Sequence, residues 1–241
     1  MRMREEVVQR LNALNRRFYE AVARPFAASR GAGEPGLARL LPSVRGRVGD
    51  LGCGQGRLAL LLPPGCTYVG MDFSPALLAL AREAAASAGR AATFVEGDLL
   101  AEQWPAPVAA GGFDWLFLRA VLHHIPGAAN RAAVVRRAAA LLAPGGRLVL
   151  ANWQFLRSPR LRRRLQPWAR VGLSAAEVEP GDYLLDWRRE VEALRYVHLV
   201  DEAETVALLE GAGLTVEQLY LEDGHTRDLT LYGVGGKSCE A

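Results

Sequence analysis

Val48-Gly49-Asp50-Leu51-Gly52-Cys53-Gly54-Gln55-Gly56 sets an acid and three alternating glycines between a short apolar run and the helical stretch Leu58 to Leu62. A strand that turns into a helix at glycines lets a ligand sit directly on backbone N–H groups, because no Cβ stands in the way. The pattern predicts a small-molecule binding turn. A nicotinamide fingerprint wants glycine at the sixth position of G-x-G-x-x-G, and this chain has Arg57 there after glycine at the fifth. The spacing is G-x-G-x-G, and a glycine turn without a ligand is the other reading.

Outward from this turn, short apolar runs alternate with helical ones. Thr67 to Met71 ends at Asp72, and Ser74-Pro75 is an N-cap and N1 pair for a helix over Ala76 to Ala88. Ala92 to Val95 precedes Gly97-Asp98, and Phe113 to Leu118 ends at Arg119-Ala120. Asn130 to Leu142 is helical by periodicity, Pro144-Gly145-Gly146 stops it, and Arg147 to Asn152 reads as a fifth strand. Such alternation predicts an α/β fold: a parallel sheet wound on both faces, with ligands outside the carboxyl ends of the strands. Glu5 to Ala28 looks like one or two amphipathic helices, joined to the first strand through the glycine-rich Gly31 to Gly36. From Trp153 to Val200 the pattern breaks into arginines, prolines and aromatics, as expected of an insertion above the sheet. Asp201 to Gly211 is again helical, and Leu214 to Leu221 and Leu229 to Val234 form a closing strand pair around Glu222-Asp223-Gly224. The expected division is a helical cap over 1–43, a ligand-binding domain over 44–234 with its insertion at about 153–200, and a tail over 235–241.

Composition suits this plan. At 241 residues, half of them hydrophobic, the chain can form one α/β domain with an insertion or a small cap. Cys53, Cys66 and Cys239 are scattered, with no C-x-x-C spacing and no disulfide framework, so a cytosolic protein is expected. Met1 to Arg17 mixes charges with isolated apolar residues, unlike a signal peptide, and no apolar run approaches the roughly 18 residues of a membrane span. The net charge of +3 is mild, and Lys237 is the one lysine. Arg157, Arg160, Arg162, Arg163, Arg164 and Arg170 nevertheless fall in one segment with no acid between them, which reads as a solvated face or a basic patch.

Asp72 follows Gly52 by 20 residues, where an acid at a strand end takes both ribose hydroxyls of a nucleoside; a helix N-terminal acid interacting with the dipole is the alternative. Phe73 would then lie against the adenine, and Asp98, beside Leu99, would receive its amino group; a core Phe and a turn Asp are the plain readings. Arg119 would border the far end of the ligand. Tandem His123-His124 at a strand's carboxyl end are an odd choice for packing and a good one for a site floor. No Cys, His or Asp at ligand spacing accompanies them, which argues against a metal.

Taken together, Asp50 to Gly56 with Cys53, Gly70-Met71-Asp72, Gly97-Asp98-Leu99, His123-His124 and Leu142-Ala143-Pro144-Gly145-Gly146 resemble class I S-adenosylmethionine (SAM) methyltransferases over 44–234. The resemblance implies a Rossmann-like, mostly parallel seven-stranded sheet ending in an antiparallel hairpin, SAM as cofactor, and cofactor contacts at Asp50, Gly52, Cys53, Gly54, Gly56, Asp72, Phe73, Asp98, Leu99 and Arg119. Within that class the chain looks most like the tRNA methyltransferases that esterify 5-carboxymethyluridine at the wobble position, and their bacterial relatives. This rests on Phe18-Tyr19, Val22-Ala23, Phe26 and Ser29-Arg30, on Val121-Leu122-His123-His124 with Arg131, and on Gly181-Asp182-Tyr183 with Arg195-Tyr196-Val197-His198. Two departures touch substrate identity: Gly31 to Gly36 stands where that family tends to carry Trp-Pro, and Asp223 to Asp228 lacks an aromatic usual near the last strand.

A carboxylate acceptor is already ionised at neutral pH and needs no general base. It needs a cationic clamp, for which Arg30, Arg195 and His198 are the candidates beside His123 and His124; an ion-paired insertion helix near Glu190 and Glu192 is the alternative for Arg195 and His198. Tyr183, Trp187 and Tyr196 offer faces on which an exposed base could stack. The implied partner is a tRNA anticodon loop, with Arg157, Arg160, Arg162, Arg163 and Arg164 tracking its phosphates and a small activator subunit as a further partner. The alternatives are a small-molecule acceptor, or a SAM- or RNA-binding protein without catalysis.

Overall fold

The computed structural model describes residues 3–28, 33–188 and 191–239, the side chains of 26–28 excepted. Helix α1 (Glu5–Ala28) and the one-turn α2 (Pro35–Ala38) precede β1 (Arg47–Leu51). Alternation then runs through α3 (Arg57–Leu61), β2 (Thr67–Asp72), α4 (Pro75–Ser87), β3 (Thr93–Glu96), α5 (Ala106–Ala109), β4 (Phe113–Arg119), α6 (Ala128–Ala140) and β5 (Leu142–Trp153). After α7 (Pro159–Arg162) come three strands, β6 (Leu165–Gln166), β7 (Asp182–Arg188) and β8 (Glu192–His198), and then α8 (Glu202–Glu210), β9 (Thr215–Glu222) and β10 (Thr230–Gly236).

The main sheet has seven strands in the order β3-β2-β1-β4-β5-β10-β9. Its first five are parallel, and β10 runs antiparallel to both β5 and β9, as the resemblance implies. The chain order reverses between β1 and β4, which opens a crevice at their carboxyl ends. Both faces are covered, so the central strands are apolar on each side. In β4, Leu116 and Leu118 enter a core with Val134, Val135 and Leu209 of α6 and α8. Their neighbours Trp115 and Phe117 face the other way, onto Leu58, Leu78 and Ala81 of α3 and α4. At the head of α4 the Ser74 hydroxyl accepts the Leu77 N–H, the cap expected from the sequence.

Of the one or two helices expected at the N-terminus there is one, which runs through Pro25. The start of the fifth strand is corrected. Strand β5 begins at Leu142, already paired with Phe113, and Ala143 to Gly146 bulge out before the ladder resumes at Arg147, opposite Trp115. The insertion is chiefly an antiparallel sheet, β6-β7-β8. Its edge strand β8 is covered by α1, where Asn15 Oδ1 accepts the Tyr196 N–H (2.8 Å) and Asn15 Nδ2 donates to the Tyr196 carbonyl (3.2 Å). The helix thereby caps a sheet edge that would otherwise leave backbone groups unpaired. No described helix is long and apolar enough to cross a membrane.

Candidate active site

The three glycines of the first turn each have a separate reason. All have positive φ: 79° at Gly52, 55° at Gly54 and 72° at Gly56. A Cβ on Gly52 would stand 2.4 Å from Val121 Cγ2, and one on Gly56 would stand 2.8 Å from Phe94 Cε1, so packing alone demands glycine there. A Cβ on Gly54 would meet nothing within 4 Å, because it would project into a cavity of about 480 Å3. That volume falls in the range of small-molecule clefts, about 300–1,000 Å3.

Asp72, at the end of β2, lines this cavity and is 7% exposed. One carboxylate oxygen accepts the Gly54 N–H (2.8 Å) and the other the Ser74 N–H (2.9 Å). A carboxylate accepts about four hydrogen bonds, so each oxygen keeps capacity for a diol in the cavity. Burial raises its pKa from 3.8 to about 6, against the lowering effect of those N–H donors. Beneath the turn, Asp50 is buried and accepts from the Tyr68 hydroxyl (3.0 Å); burial raises its pKa while Arg119 opposes the rise. Burial likewise pushes the Cys53 thiol up, with Asp50 adding to the effect.

At the same end Glu34 bridges Arg119 (3.2 Å) and Arg57 (3.5 Å). Burial works against charge on Arg119, yet Glu34 and Asp50 hold its pKa above the ordinary guanidinium value. Opposite them, Asp98 is bound by Arg16 at 2.6 Å and caps the Leu100 N–H at 2.9 Å. Arg16 also lies over the Phe73 ring, 5.0 Å from its centroid. Leu99 is buried in the wall beside them. All the cofactor candidates except Asp50 and Gly56 line this one cavity.

The other end is built by α1, the Leu122–His124 turn, β5, α7 and the insertion sheet. His124 Nδ1 lies 3.0 Å from the Tyr196 carbonyl, which can only accept, so Nδ1 carries the proton and Nε2 accepts from the Tyr19 hydroxyl at 2.7 Å. His123 lines the cavity, its ring 5.9 Å from that of Trp153. Arg195 is buried between Trp153 (4.9 Å) and Phe18 (5.1 Å). Burial lowers its pKa, a hydrogen bond with Tyr19 opposes the fall, and no acid among the described residues pairs with it. Trp187, Arg160 and Arg164 line the same end.

Several expectations about this end are corrected. His198 does not line the cavity: Nδ1 binds Asp182 (2.7 Å) and Nε2 binds Glu204 (2.8 Å). Glu204 in turn pairs with the buried Arg131, which also reaches Glu179. The reason is geometric, since Arg195 and His198 are three apart on a strand and so face opposite sides of it. Tyr196 shares the His198 face, with its hydroxyl on Asp182 (2.7 Å), and Tyr183 packs edge-on against Phe155. Neither ring reaches the cavity; of the expected stacking faces, Trp187 does. The arginine segment is no continuous track: Arg157 pairs with Asp228, Arg170 with Glu192, and Arg162 donates to the Leu156 carbonyl. Arg163 is exposed and away from the cavity, and Arg30 lies outside the described residues. Sequence reasoning missed Glu34, Trp153 and the inward turn of Arg160 and Arg164. Among the described residues no group of three His, Cys, Asp or Glu side chains could hold a metal.

Residues 48–146 match the family model described as a methyltransferase domain. Trans-aconitate 2-methyltransferase of Paracidovorax citrulli is 32% identical over 221 residues, covering 84% of this chain and 78% of that protein. The demethylmenaquinone methyltransferase of Thermus thermophilus is 36% identical over 110 residues, 44% of this chain, and the chain spans 47% of its length. A tRNA (carboxymethyluridine(34)-5-O)-methyltransferase of Macaca fascicularis is 28% identical over 137 residues, 56% of this chain and 19% of that protein. Among solved structures, the magnesium protoporphyrin IX methyltransferase of Synechocystis with bound S-adenosylhomocysteine superposes with a TM-score of 0.63 at 18% identity, covering 94% of this chain and 99% of that one.

Proposed function

Since the chain belongs to the class I SAM-dependent methyltransferases and takes SAM as its cofactor, we propose that it methylates a carboxylate oxygen of a small anionic acceptor. Arg195 carries this reading: a buried cation with no acid partner among the described residues, fixed between two aromatic rings at the end of the cavity away from the glycine turn. Isolated buried charge is costly, so a site that keeps one is suited to an anionic visitor. The relative matched over most of this chain is named for trans-aconitate, which favours a small acceptor over tRNA.

The cavity fits the cofactor at the open space over Gly54 and at the remaining acceptor capacity of Asp72. When bound, SAM supplies a methyl carbon on a sulfonium sulfur, and the sulfur leaves as a neutral thioether when the new C–O bond forms. Asp72 holds the sugar hydroxyls, and Phe73, Asp98 and Leu99 wall the base. Arg195 orients the acceptor carboxylate, and Tyr19 keeps Arg195 and His124 in register. Trp153, Trp187 and His123 exclude water around the reacting atoms, so the work of the site is alignment. A carboxylate has no proton to remove, which agrees with His124 Nε2 being occupied by Tyr19.

The test is to incubate the protein with methyl-labelled SAM and, in parallel, a panel of small organic acids and total tRNA. Label in an organic acid that mild base releases as methanol is the expected result. Base-stable label, or label confined to tRNA, would overturn the reading.

A further inference from the structure

The insertion sheet meets the helices of the main sheet at a buried cluster of ionisable groups that methyl transfer does not use. Its centre is His198 on β8, three residues from Arg195 and buried. Nδ1 lies 2.7 Å from Asp182 on β7, and Nε2 lies 2.8 Å from Glu204 on α8. An ionised carboxylate only accepts, so each ring nitrogen needs a proton; a neutral imidazole would turn a lone pair on one of the two acids. Gly181, at φ 89°, leaves room for the ring, since a Cβ there would stand 3.0 Å from His198 Cε1. Around this core the Tyr196 hydroxyl and the Glu179 N–H donate to Asp182 (2.7 and 2.8 Å), and Arg131 on α6 binds both Glu204 and Glu179. Asp201 caps the Glu204 N–H at the head of α8, and α1 brings the apolar Val7 and Leu11 against Tyr196. Two of these acids reach across the boundary of the insertion: Glu204 of α8 meets His198, and Glu179 meets Arg131 and the Ala128 N–H of α6.

We infer that His198 is a pH-operated clip: as an imidazolium it fastens the β6-β7-β8 sheet to α8, and when Nε2 gives up its proton to solvent the acceptor end of the cavity loosens. Nε2 is the nitrogen that loses the proton because Asp182 is buried, whereas Glu204 is half-buried and can turn to water. Arg195 and Trp187 move with the clip, since both stand on the strands it fastens. The donor end, built on β1, β2 and the glycine turn, shares none of these residues. The clip would act on any acceptor, because it governs the wall that the insertion supplies. Burial opposes charge on His198, but the hydrogen bonds with Asp182 and Glu204 outweigh it and raise the pKa above 6.5. With the folded value raised, the stabilisation is complete below pH 6.5 and is lost as pH rises through the folded value.

Long-range proton–nitrogen NMR spectra report the protonation of each imidazole directly, with His198 assigned by the signal that His198→Gln removes. A doubly protonated ring at pH 7 is expected, and a neutral one would overturn the inference. Amide exchange over residues 192–198, followed by mass spectrometry between pH 6.5 and 8.5 and corrected for intrinsic rates, should lose protection by up to about tenfold per pH unit. Glu204→Gln should flatten this dependence, because its amide can pair with either form of the ring. Flat protection in the parent, or an equal slope in Glu204→Gln, would overturn the clip. Affinity for S-adenosylhomocysteine, measured by calorimetry, should match in parent and variant at each pH. A divergence that tracks the exchange would overturn the confinement of the clip to the acceptor end.

Discussion

The hydroxyl of Tyr19 donates to Nε2 of His124 across 2.7 Å, joining the N-terminal helix to the turn after β4. It also bonds Arg195, so one phenol holds two residues of the acceptor end.

Tyr19→Phe removes both links while keeping the ring that packs on Phe18 and Phe73. Thermal stability should fall by about 1–3 kcal/mol, the cost of a buried polar group left without its partner. The acceptor KM should rise while the dissociation constant of SAM, measured by calorimetry, stays within about twofold. A change in SAM affinity as large as that in acceptor KM would contradict the division of the cavity into two ends.

Asp72 makes stability depend on pH in the ligand-free protein. Its pKa is raised by burial from 3.8 to about 6, so the folded chain keeps a proton that the unfolded chain has lost. The resulting stabilisation is complete below pH 3.8 and is lost as pH rises through about 6, a difference of about 3 kcal/mol. Urea denaturation at intervals from pH 4 to 7 should show this slope in the parent and not in Asp72→Asn. The same variant should bind SAM on the order of 100-fold more weakly, since two hydrogen bonds to a charged acceptor are lost. Parallel stability curves for the two proteins would refute the assignment.

Gly54→Val fills the open space above the turn and forces a β-branched residue to φ 55°. The backbone strain is about 1–2 kcal/mol, which the fold should survive as judged by its circular dichroism. Binding of SAM should fall by two orders of magnitude or more, and retained affinity would mean that the cofactor lies elsewhere.

Arg131→Met removes the cation shared by Glu179 and Glu204, leaving Glu204 with His198 and Glu179 with the Ala128 N–H. Breaking a buried pair from one side costs about 3–5 kcal/mol. The urea midpoint should drop accordingly, and a loss below about 1 kcal/mol would show that the network contributes little.

The parallel sheet was legible because each of its first four strands in the chain is an apolar run ended by an acid, an arginine or a glycine, and because the spacing from Gly52 to Asp72 fits one strand-helix-strand unit. Local signals failed where chain-distant groups decide. Glu34 meets Arg119 across 85 positions, and nothing in Gly31 to Gly36 announces that partner. Arg195 and His198 read as neighbours on a helix, but β8 sends them to opposite sides. The arginine run carries no mark of which members turn inward, since that depends on Leu161 being buried beneath α7 and on Asp228 and Glu192 waiting outside.

The β6-β7-β8 sheet contributes Trp187 and Arg195 to the cavity yet shares no ladder with the seven-stranded sheet. It is attached by Asn15 on the Tyr196 backbone and by apolar packing of Tyr196 on Val7 and Leu11, of Trp187 on Phe18, and of Leu185 and Val197 on Phe155. If the acceptor is held as proposed, its choice lies in a cassette that an engineer could exchange as long as those contacts are kept. The machinery for the methyl donor would pass through such a swap untouched.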